Sequence, residues 1–159
     1  MSFRTIILVL INLALFWGCH PQKGFKTISV LENQTEHQII ISYYRNGSLN
    51  KQNGVLINAN ETKEVLHSAE NGKGPGMTYS TLLQGADFDS AIVAFDNNRK
   101  SVHYGYNKTG SNPNAVLYPS PRSIFNEENY TERIILGNKR LDEREFKYTF
   151  TEQDYLNAR

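Results

Sequence analysis

The chain has one cysteine, Cys19, among its 159 residues, and an exported domain with a single cysteine cannot form an internal disulfide. Its one tryptophan, Trp17, lies in the same N-terminal stretch. The chain also lacks an excess of one charge, because 17 basic and 16 acidic residues give a net charge of +1 at pH 7. This balance argues against nucleic acid, or a generic anionic surface, as the main partner.

A transmembrane helix is not expected at the N-terminus, because crossing a bilayer takes about 20 apolar residues. The apolar run here covers residues 5–17, is interrupted by Asn12, and stops at Gly18 and Cys19. Arg4 precedes the run, and a positive start, a short apolar stretch and a small residue at its end are typical of a secretory signal peptide. We therefore expect residues 1–18 to be removed on export.

The position of Cys19, directly after the apolar run and Gly18, resembles the lipobox of bacterial lipoproteins. In that family the signal is cut before the cysteine, here between Gly18 and Cys19, and the cysteine receives fatty acyl chains such as palmitate. The resemblance implies that Cys19 is lipidated and fixes the protein to a membrane. Ordinary secretion with a free thiol is the alternative.

Removing residues 1–18 leaves 141 residues, which suits a single domain with a hydrophobic core that needs no disulfides. We expect the lipidated cysteine and a short tether at residues 19–25, and a β-sandwich-like domain at residues 26–159. A tether of this length holds the folded domain close to the bilayer, because an extended residue spans at most about 3.5 Å.

Short apolar or alternating runs separated by Asn, Gly, Pro and Asp residues are typical of strands and turns. A hairpin is expected around Ala59 and Asn60, a turn at Asn46 and Gly47, and a strand covered on both faces at residues 37–44. Residues 91–95 are expected at the centre of a sheet. The predicted strands are residues 26–31, 37–44, 54–58, 61–67, 78–84, 91–95, 101–106, 116–118, 132–136 and 145–150.

This pattern predicts an all-β fold, a single antiparallel β-sandwich of immunoglobulin-like or related type, with a short C-terminal helical turn. The helical turn is expected after Thr151, because Thr151 and Asp154 resemble a capping box. Two polar loops, residues 68–77 and 107–115, are candidates for binding residues because loops on a rigid sheet often carry them.

The C-terminal stretch from Tyr148 to Tyr155, an aromatic strand followed by a Thr-x-x-Asp-Tyr turn, resembles the tail of small lipoproteins of the Bacteroidetes group. Those proteins share the lipidated start and a β domain of this size. The resemblance implies a location in the cell envelope and names no activity.

Few residues suggest metal or catalytic chemistry. His103 lies on the polar phase of its strand, which favours a solvated or locally bonded side chain, and no HExxH pair or cysteine spacing suggests zinc. Asp87, Asp89 and Asp96 could supply calcium ligands, but such clusters are also ordinary turn residues. We expect no metal, no cofactor and no catalytic residue, and the carboxylates at Glu127, Glu128, Glu143 and Glu145 are interpreted as solvated charges.

Two further hypotheses concern the surface of the domain. Residues 89–91 (Asp-Ser-Ala) look like the motif that Bacteroidetes glycosylate on exported proteins, which makes Ser90 a candidate for O-glycosylation. Four tyrosines, Tyr43, Tyr44, Tyr104 and Tyr106, could line a ligand face, since tyrosine combines stacking area with a polar tip. The alternative is that tyrosine simply suits β-strands.

Taken together, the sequence predicts an envelope lipoprotein of a Gram-negative bacterium. In the lipoproteins it resembles, a residue other than Asp after the cysteine, here His20, permits transfer to the outer membrane, and acidic residues after the cysteine often accompany surface display. Residues 20–24 have no acidic side chain, so the resemblance implies an outer-membrane anchor that faces the periplasm. The expected role is a non-catalytic binding or accessory module whose partner is an envelope protein or a glycan. The alternatives are a hydrolase acting on glycan or peptide, and a structural lipoprotein without a dissociable ligand.

Overall fold

The computed structural model describes residues 23–71, 88–106, 108, 110 and 112–159. Within them the chain forms eight strands, a 3-10 turn at Glu127–Asn129 and a short helix, α1, at Glu152–Asn157. The strands are β1 (Gly24–Asn33), β2 (Ile39–Arg45), β3 (Ser48–Ile57), β4 (Thr62–Asn71), β5 (Ser90–Phe95), β6 (Arg99–Tyr104), β7 (Thr131–Gly137) and β8 (Leu141–Phe150). The strand predicted at residues 78–84 lies outside the described residues.

The strands form two four-stranded sheets, which confirms the predicted all-β, sandwich-like fold. The first sheet has the order β4-β1-β8-β7 and the second has the order β3-β2-β5-β6. The prediction of a wholly antiparallel sandwich is wrong for one pair, because β1 and β8 run parallel along their full length. A parallel pair needs a long connection, and here the other six strands separate the two in sequence. The immunoglobulin-like arrangement stays a prediction.

The hydrophobic core lies between the two sheets and is built from alternate residues of their central strands. β8 contributes Phe146, Tyr148 and Phe150, which alternate with polar residues and are buried, and β5 lies in the interior of its sheet as expected. Fully buried members of the core are Ile39, Ile41, Ile57, Val93, Phe95, Phe125, Tyr148 and Phe150. Phe95 meets Phe150 edge to face, with ring centroids 6.4 Å apart, a favourable aromatic geometry that links the two sheets.

The predicted hairpin around Ala59 and Asn60 is wrong, because the strands on its two sides belong to different sheets. β3 ends at Ile57 in the second sheet and β4 begins at Thr62 in the first. The buried side-chain amide of Asn33 donates to the carbonyl oxygens of His37 and Asn58, at 2.7 Å and 2.8 Å. This side chain therefore ties the β1–β2 connection to the β3–β4 turn.

Two turns have the geometry of tight hairpins. Asn46 and Gly47 have φ values of 50° and 77°, and Asp96 and Asn97 have φ values of 49° and 59°. Positive φ at both central residues is the mark of the type I′ turn, which suits the twist of paired strands. The turn predicted at Asn46 and Gly47 is confirmed, and it joins β2 to β3.

The helical turn predicted after Thr151 is confirmed by α1. The carboxylate of Asp154 accepts hydrogen bonds from the Thr151 N–H at 2.8 Å and from its hydroxyl at 3.2 Å. Because the first N–H groups of a helix have no partner within it, this carboxylate stabilises the start of α1.

The predicted orientation of β6 is reversed. The sequence suggested Val102 and Tyr104 as the buried phase and His103 as a polar one, but His103 is 4% exposed and both neighbours are partly exposed. The loop from Ser123 to Phe125 packs beneath β6 and is buried there. The apolar phase of β6 therefore lies on the outward surface. Residues 116–118 were expected to form a strand, but Val116 makes only an isolated bridge to His103.

Candidate binding face

The outward surface of the second sheet is mainly apolar, although register also places Ser42, Ser90 and Lys100 on it. β2 was expected to be covered on both faces, but its burial alternates: Ile39, Ile41 and Tyr43 are buried, while Ile40, Ser42 and Tyr44 are partly exposed. The same alternation in the neighbouring strands places further apolar side chains beside them. The outward surface, named here the apolar face, comprises Ile40, Tyr44, Leu49, Leu56, Ile92, Val102 and Tyr104.

Strand register sets the order of side chains across the apolar face. Tyr44 of β2 lies opposite Leu49 of β3 and Ser90 of β5, and Ser90 lies opposite Tyr104 of β6. Neighbouring strands are about 4.8 Å apart, so two tyrosines flank a serine in one row. Leu49 and Leu56 are 47% and 44% exposed at the β3 edge.

The outward surface of the first sheet has a different character, because it carries paired charges. Lys26 contacts Glu143 at 2.5 Å, Lys147 contacts Glu32 at 3.0 Å, and Arg133 contacts Glu145 at 2.8 Å. The hydrogen bond from Lys147 lowers the pKa of Glu32. Such pairs are typical of a solvated sheet surface. The carboxylates of Glu143 and Glu145 thus take part in ion pairs.

A shallow groove of about 560 Å³ crosses this charged surface. It is lined by Val30, Thr62, Glu64, Thr131, Arg133, Glu145 and Lys147. Charges of both signs line it, and two of them, Arg133 and Glu145, bond to each other. The groove therefore presents no surplus charge that would select an anionic or a cationic ligand.

The structure places two of the four candidate tyrosines on the apolar face, and their binding of a ligand stays a prediction. Tyr44 and Tyr104 share the apolar face, and Gly110 of the following loop lies against the Tyr104 ring. Tyr43 is buried and stacks on Phe88, with ring centroids 5.0 Å apart. Burial raises the pKa of Tyr43 well above its ordinary value. A ligand can therefore reach Tyr44 and Tyr104 but not Tyr43.

Tyr106 projects from the end of β6 and is 62% exposed. Its ring meets that of Tyr118 edge to face, with centroids 5.2 Å apart. The Tyr118 hydroxyl donates to Glu127 at 2.8 Å, and this bond raises the pKa of Tyr118 to about 12. The carboxylate of Glu127 thus has a structural partner on the same loop.

Ser90, the candidate glycosylation residue, opens β5 in the middle of the tyrosine row. Its hydroxyl donates to the Asp89 carboxylate at 2.9 Å. Burial opposes ionisation of Asp89, but hydrogen bonds from the Asn46 N–H and from Ser90, together with Lys108 at 3.2 Å, lower its pKa overall. Asp89 therefore bonds to groups of this chain. Modification of Ser90 stays a prediction.

Ser101 and His103 form a serine–histidine pair, the arrangement that a hydrolase would use. The Ser101 hydroxyl lies 3.0 Å from Nε2, while Nδ1 accepts the N–H of Ile124 at 3.3 Å. Because Nδ1 accepts, the proton of the neutral ring lies on Nε2 and is donated to Ser101. A general base needs an unprotonated nitrogen facing the hydroxyl, so this pair has the wrong tautomer. Of the two predicted settings for His103, the locally bonded one is confirmed and the solvated one is wrong.

A cluster that the sequence did not reveal forms around His37. Its Nδ1 lies 2.6 Å from the Asp96 carboxylate, and its ring stacks on Tyr155 with centroids 3.6 Å apart. The guanidinium of Arg99 lies 4.8 Å from the Tyr155 ring centroid. The hydrogen bond with His37 lowers the pKa of Asp96. These contacts fasten α1 to the second sheet, and no local pattern predicts them because their members are far apart in sequence.

Several predicted site residues lie outside the described residues, namely Gly18, Cys19 and Asp87, together with most of the loop at residues 68–77. Asp96, proposed as a calcium ligand, bonds instead to His37 and to the Gln38 N–H. In the described part of the chain, no group of three or more His, Cys, Asp or Glu side chains is arranged to hold a metal ion.

Comparisons of the chain with protein-family models, with characterised proteins and with solved structures found no match. Among the described residues, no helix has the length and apolar character that spanning a bilayer requires.

Proposed function

We propose that the chain is an exported lipoprotein, held by lipid on Cys19 at the periplasmic face of the outer membrane of a Gram-negative bacterium. Its β-sandwich is a non-catalytic binding module of the cell envelope. The apolar run, Gly18 and Cys19 support the anchor. The start of β1 at Gly24 supports a short tether, because the five residue steps from Cys19 to Gly24 span at most about 18 Å.

The observation that carries the binding role is the apolar face of the second sheet. The two outward surfaces of the sandwich share one fold but differ in the chemistry of their central strands, since those of the first carry ion pairs and those of the second carry mainly aliphatic and tyrosine side chains. Contiguous exposed apolar surface on a folded domain marks an interaction site. The contrast makes the second sheet the binding side.

The chemistry of the face favours an envelope protein over a glycan as the partner. Aliphatic side chains at Ile40, Ile92 and Val102 fill its centre, and Leu49 and Leu56 its β3 edge. Protein interfaces have an apolar core, are enriched in tyrosine and have a polar rim. Here Tyr44 and Tyr104 flank an aliphatic centre, which is the pattern of a protein interface.

Site-specific photo-crosslinking in living cells tests this proposal. A benzophenone amino acid replaces Leu56 on the apolar face or Leu156 on α1, and the two leucines are 44% and 56% exposed. We expect one defined adduct from position 56, lost when Leu49→Lys is added, and no such adduct from position 156. The same adducts from both positions, or none from position 56, would contradict the proposed binding face.

A further inference from the structure

The edge strand β7 exposes an apolar stretch at the border of the first sheet. All ten residues from 131 to 140 are exposed, including Ile134 at 63%, Ile135 at 45% and Leu136 at 41%. β7 pairs only with β8, so its other edge is open within the described fold. Exposed edge strands are usually protected by charges or by proline. Three consecutive aliphatic residues on such an edge therefore suggest that something covers it.

This apolar stretch lies close to the point where the N-terminal segment enters the domain. The Gly24 N–H donates to the Arg140 carbonyl oxygen at 2.8 Å, and Gly24 is in register with Leu141 of β8. Leu136 is in register with Glu143, two residues further along β8. Standard strand spacings then put Leu136 about 12 Å from Gly24.

The same end of the molecule carries two exposed cations. Lys139 and Arg140 are exposed at the tip of the β7–β8 hairpin, and no described carboxylate lies within ion-pair distance of either. The nearby carboxylate of Asp142 is matched by Arg144 and Lys23, each at 3.2 Å, and the hydrogen bond from Arg144 lowers its pKa. A chain with a net charge near zero thus has a local cationic tip beside its apolar edge.

We infer that a lipid bilayer with anionic headgroups covers this surface, named here the anchor-side edge and comprising Ile134, Ile135, Leu136, Lys139 and Arg140. The inference rests on the proposed anchor at Cys19. Aliphatic side chains enter the boundary between headgroups and acyl chains, and the two cations contact the headgroups, as in other interfacial surfaces. The second contact fixes the orientation of the domain, which attachment at Cys19 alone would leave free.

Tryptophan fluorescence in vesicles tests the inference on the mature lipidated protein. Trp17 is the only tryptophan and belongs to the expected signal peptide, so the mature wild-type chain has no tryptophan emission of its own. Leu136→Trp reports on the anchor-side edge. Leu156→Trp is the control, because α1 follows the opposite end of β8, about 30 Å from Leu141 by strand rise. The vesicles combine phosphatidylethanolamine with phosphatidylglycerol, and some contain brominated acyl chains that quench nearby tryptophan.

We expect the Leu136→Trp emission to shift to shorter wavelength and to be quenched by brominated chains, while Leu156→Trp stays unquenched. Adding Lys139→Gln and Arg140→Gln should weaken the quenching in anionic vesicles.

If the protein floats with the vesicles but both tryptophans stay unquenched, the inference is wrong and the anchor stands. Shielding of Leu136→Trp from acrylamide without lipid quenching, in a dimeric protein, would assign the edge to a second copy and also overturn it. Absence of flotation would overturn both the anchor and this inference.

Discussion

The guanidinium of Arg122 forms a two-pronged hydrogen bond with the Asp154 carboxylate, with Nε 2.8 Å from Oδ1 and NH2 contacting Oδ2. The same carboxylate accepts the Thr151 N–H at the start of α1. Arg122 also donates to the Thr149 carbonyl oxygen at 2.9 Å, and the Tyr148 hydroxyl donates to the Arg122 carbonyl oxygen at 3.0 Å. One arginine thus joins the long loop before β7 to both β8 and the C-terminal helix.

Replacing Arg122 should destabilise the domain more than replacing an arginine in an isolated surface pair. We expect Arg122→Gln to lower the free energy of unfolding by about 1–3 kcal/mol, because it removes charge-assisted bonds to a carboxylate that is partly buried. Arg133→Gln, the matched control on the 68% exposed partner of Glu145, should change it by less than about 1 kcal/mol. Urea unfolding at pH 7 measures both. Equal losses would show that Arg122 does not hold these elements together.

The strong local patterns predicted the fold well. The apolar run of β5 and the alternation of aromatic and polar residues in β8 are long enough to predict a strand and to show which of its residues are buried. The Asn46–Gly47 sequence allows few structures other than a tight turn. The turn at Ala59 and Asn60 was wrongly predicted as a hairpin, because alternation does not show whether a turn stays in one sheet or crosses between two. β6 was misassigned because its inward neighbours, Ser123 to Phe125, are about twenty residues away in sequence.

The candidate site was predictable only in part, and for a related reason. Tyr44, Ser90 and Tyr104 are separated along the chain and meet through strand register, which the sequence does not encode locally. The hypothesis of a tyrosine face included two of these residues, Tyr44 and Tyr104, and whether they bind a ligand stays a prediction. The aliphatic centre of the face looked like buried core in the sequence, since an outward apolar phase and an inward one give the same alternation.

Acid should destabilise the domain through His103. Burial lowers the pKa of His103 from its ordinary value of 6.5 to about 4. Below pH 6.5 the unfolded chain therefore binds a proton that the folded chain does not bind, so the free energy of unfolding falls as the pH drops towards 4. We expect His103 to account for a loss of about 2 kcal/mol between pH 7 and pH 5. Urea titrations at the two pH values measure it.

The neutral variant His103→Gln isolates this contribution, because every other titrating group is common to both proteins. It should be less stable than the wild type at pH 7, since Ser101 and the Ile124 N–H lose their hydrogen bonds to the imidazole ring. Between pH 7 and pH 5, the free energy of unfolding of His103→Gln should fall by about 2 kcal/mol less than that of the wild type. An equal pH dependence in the two proteins would mean that His103 is protonated at pH 5 without penalty.

Glycosylation of Ser90 and occupation of the apolar face should exclude each other. Ser90 lies between Tyr44 and Tyr104 in one row, so a glycan there would cover the proposed interface. Mass spectrometry of the peptide that contains β5 should show a sugar increment that Ser90→Ala removes. Photo-crosslinking at position 56 should then enrich the unmodified form. An unmodified peptide in all preparations would reject Ser90 as the modified residue.

Protease treatment of intact cells distinguishes the two sides of the outer membrane. We expect the domain to survive while the membrane is closed and to be digested once it is opened, because the proposed location is the periplasmic face. That location is proposed because the residues directly after Cys19 include no acidic side chain. Loss of the domain from closed cells would place it on the cell surface instead. The partner would then be sought among external proteins.

The most direct test of the lipid anchor is the mass of the N-terminal peptide of protein purified from the membrane fraction. The predicted chain begins at Cys19, has lost residues 1–18 and carries the added mass of fatty acyl chains on Cys19. A chain from the same fraction that carries an unmodified Cys19 thiol would contradict the anchor, and with it the proposed orientation of the domain on the bilayer.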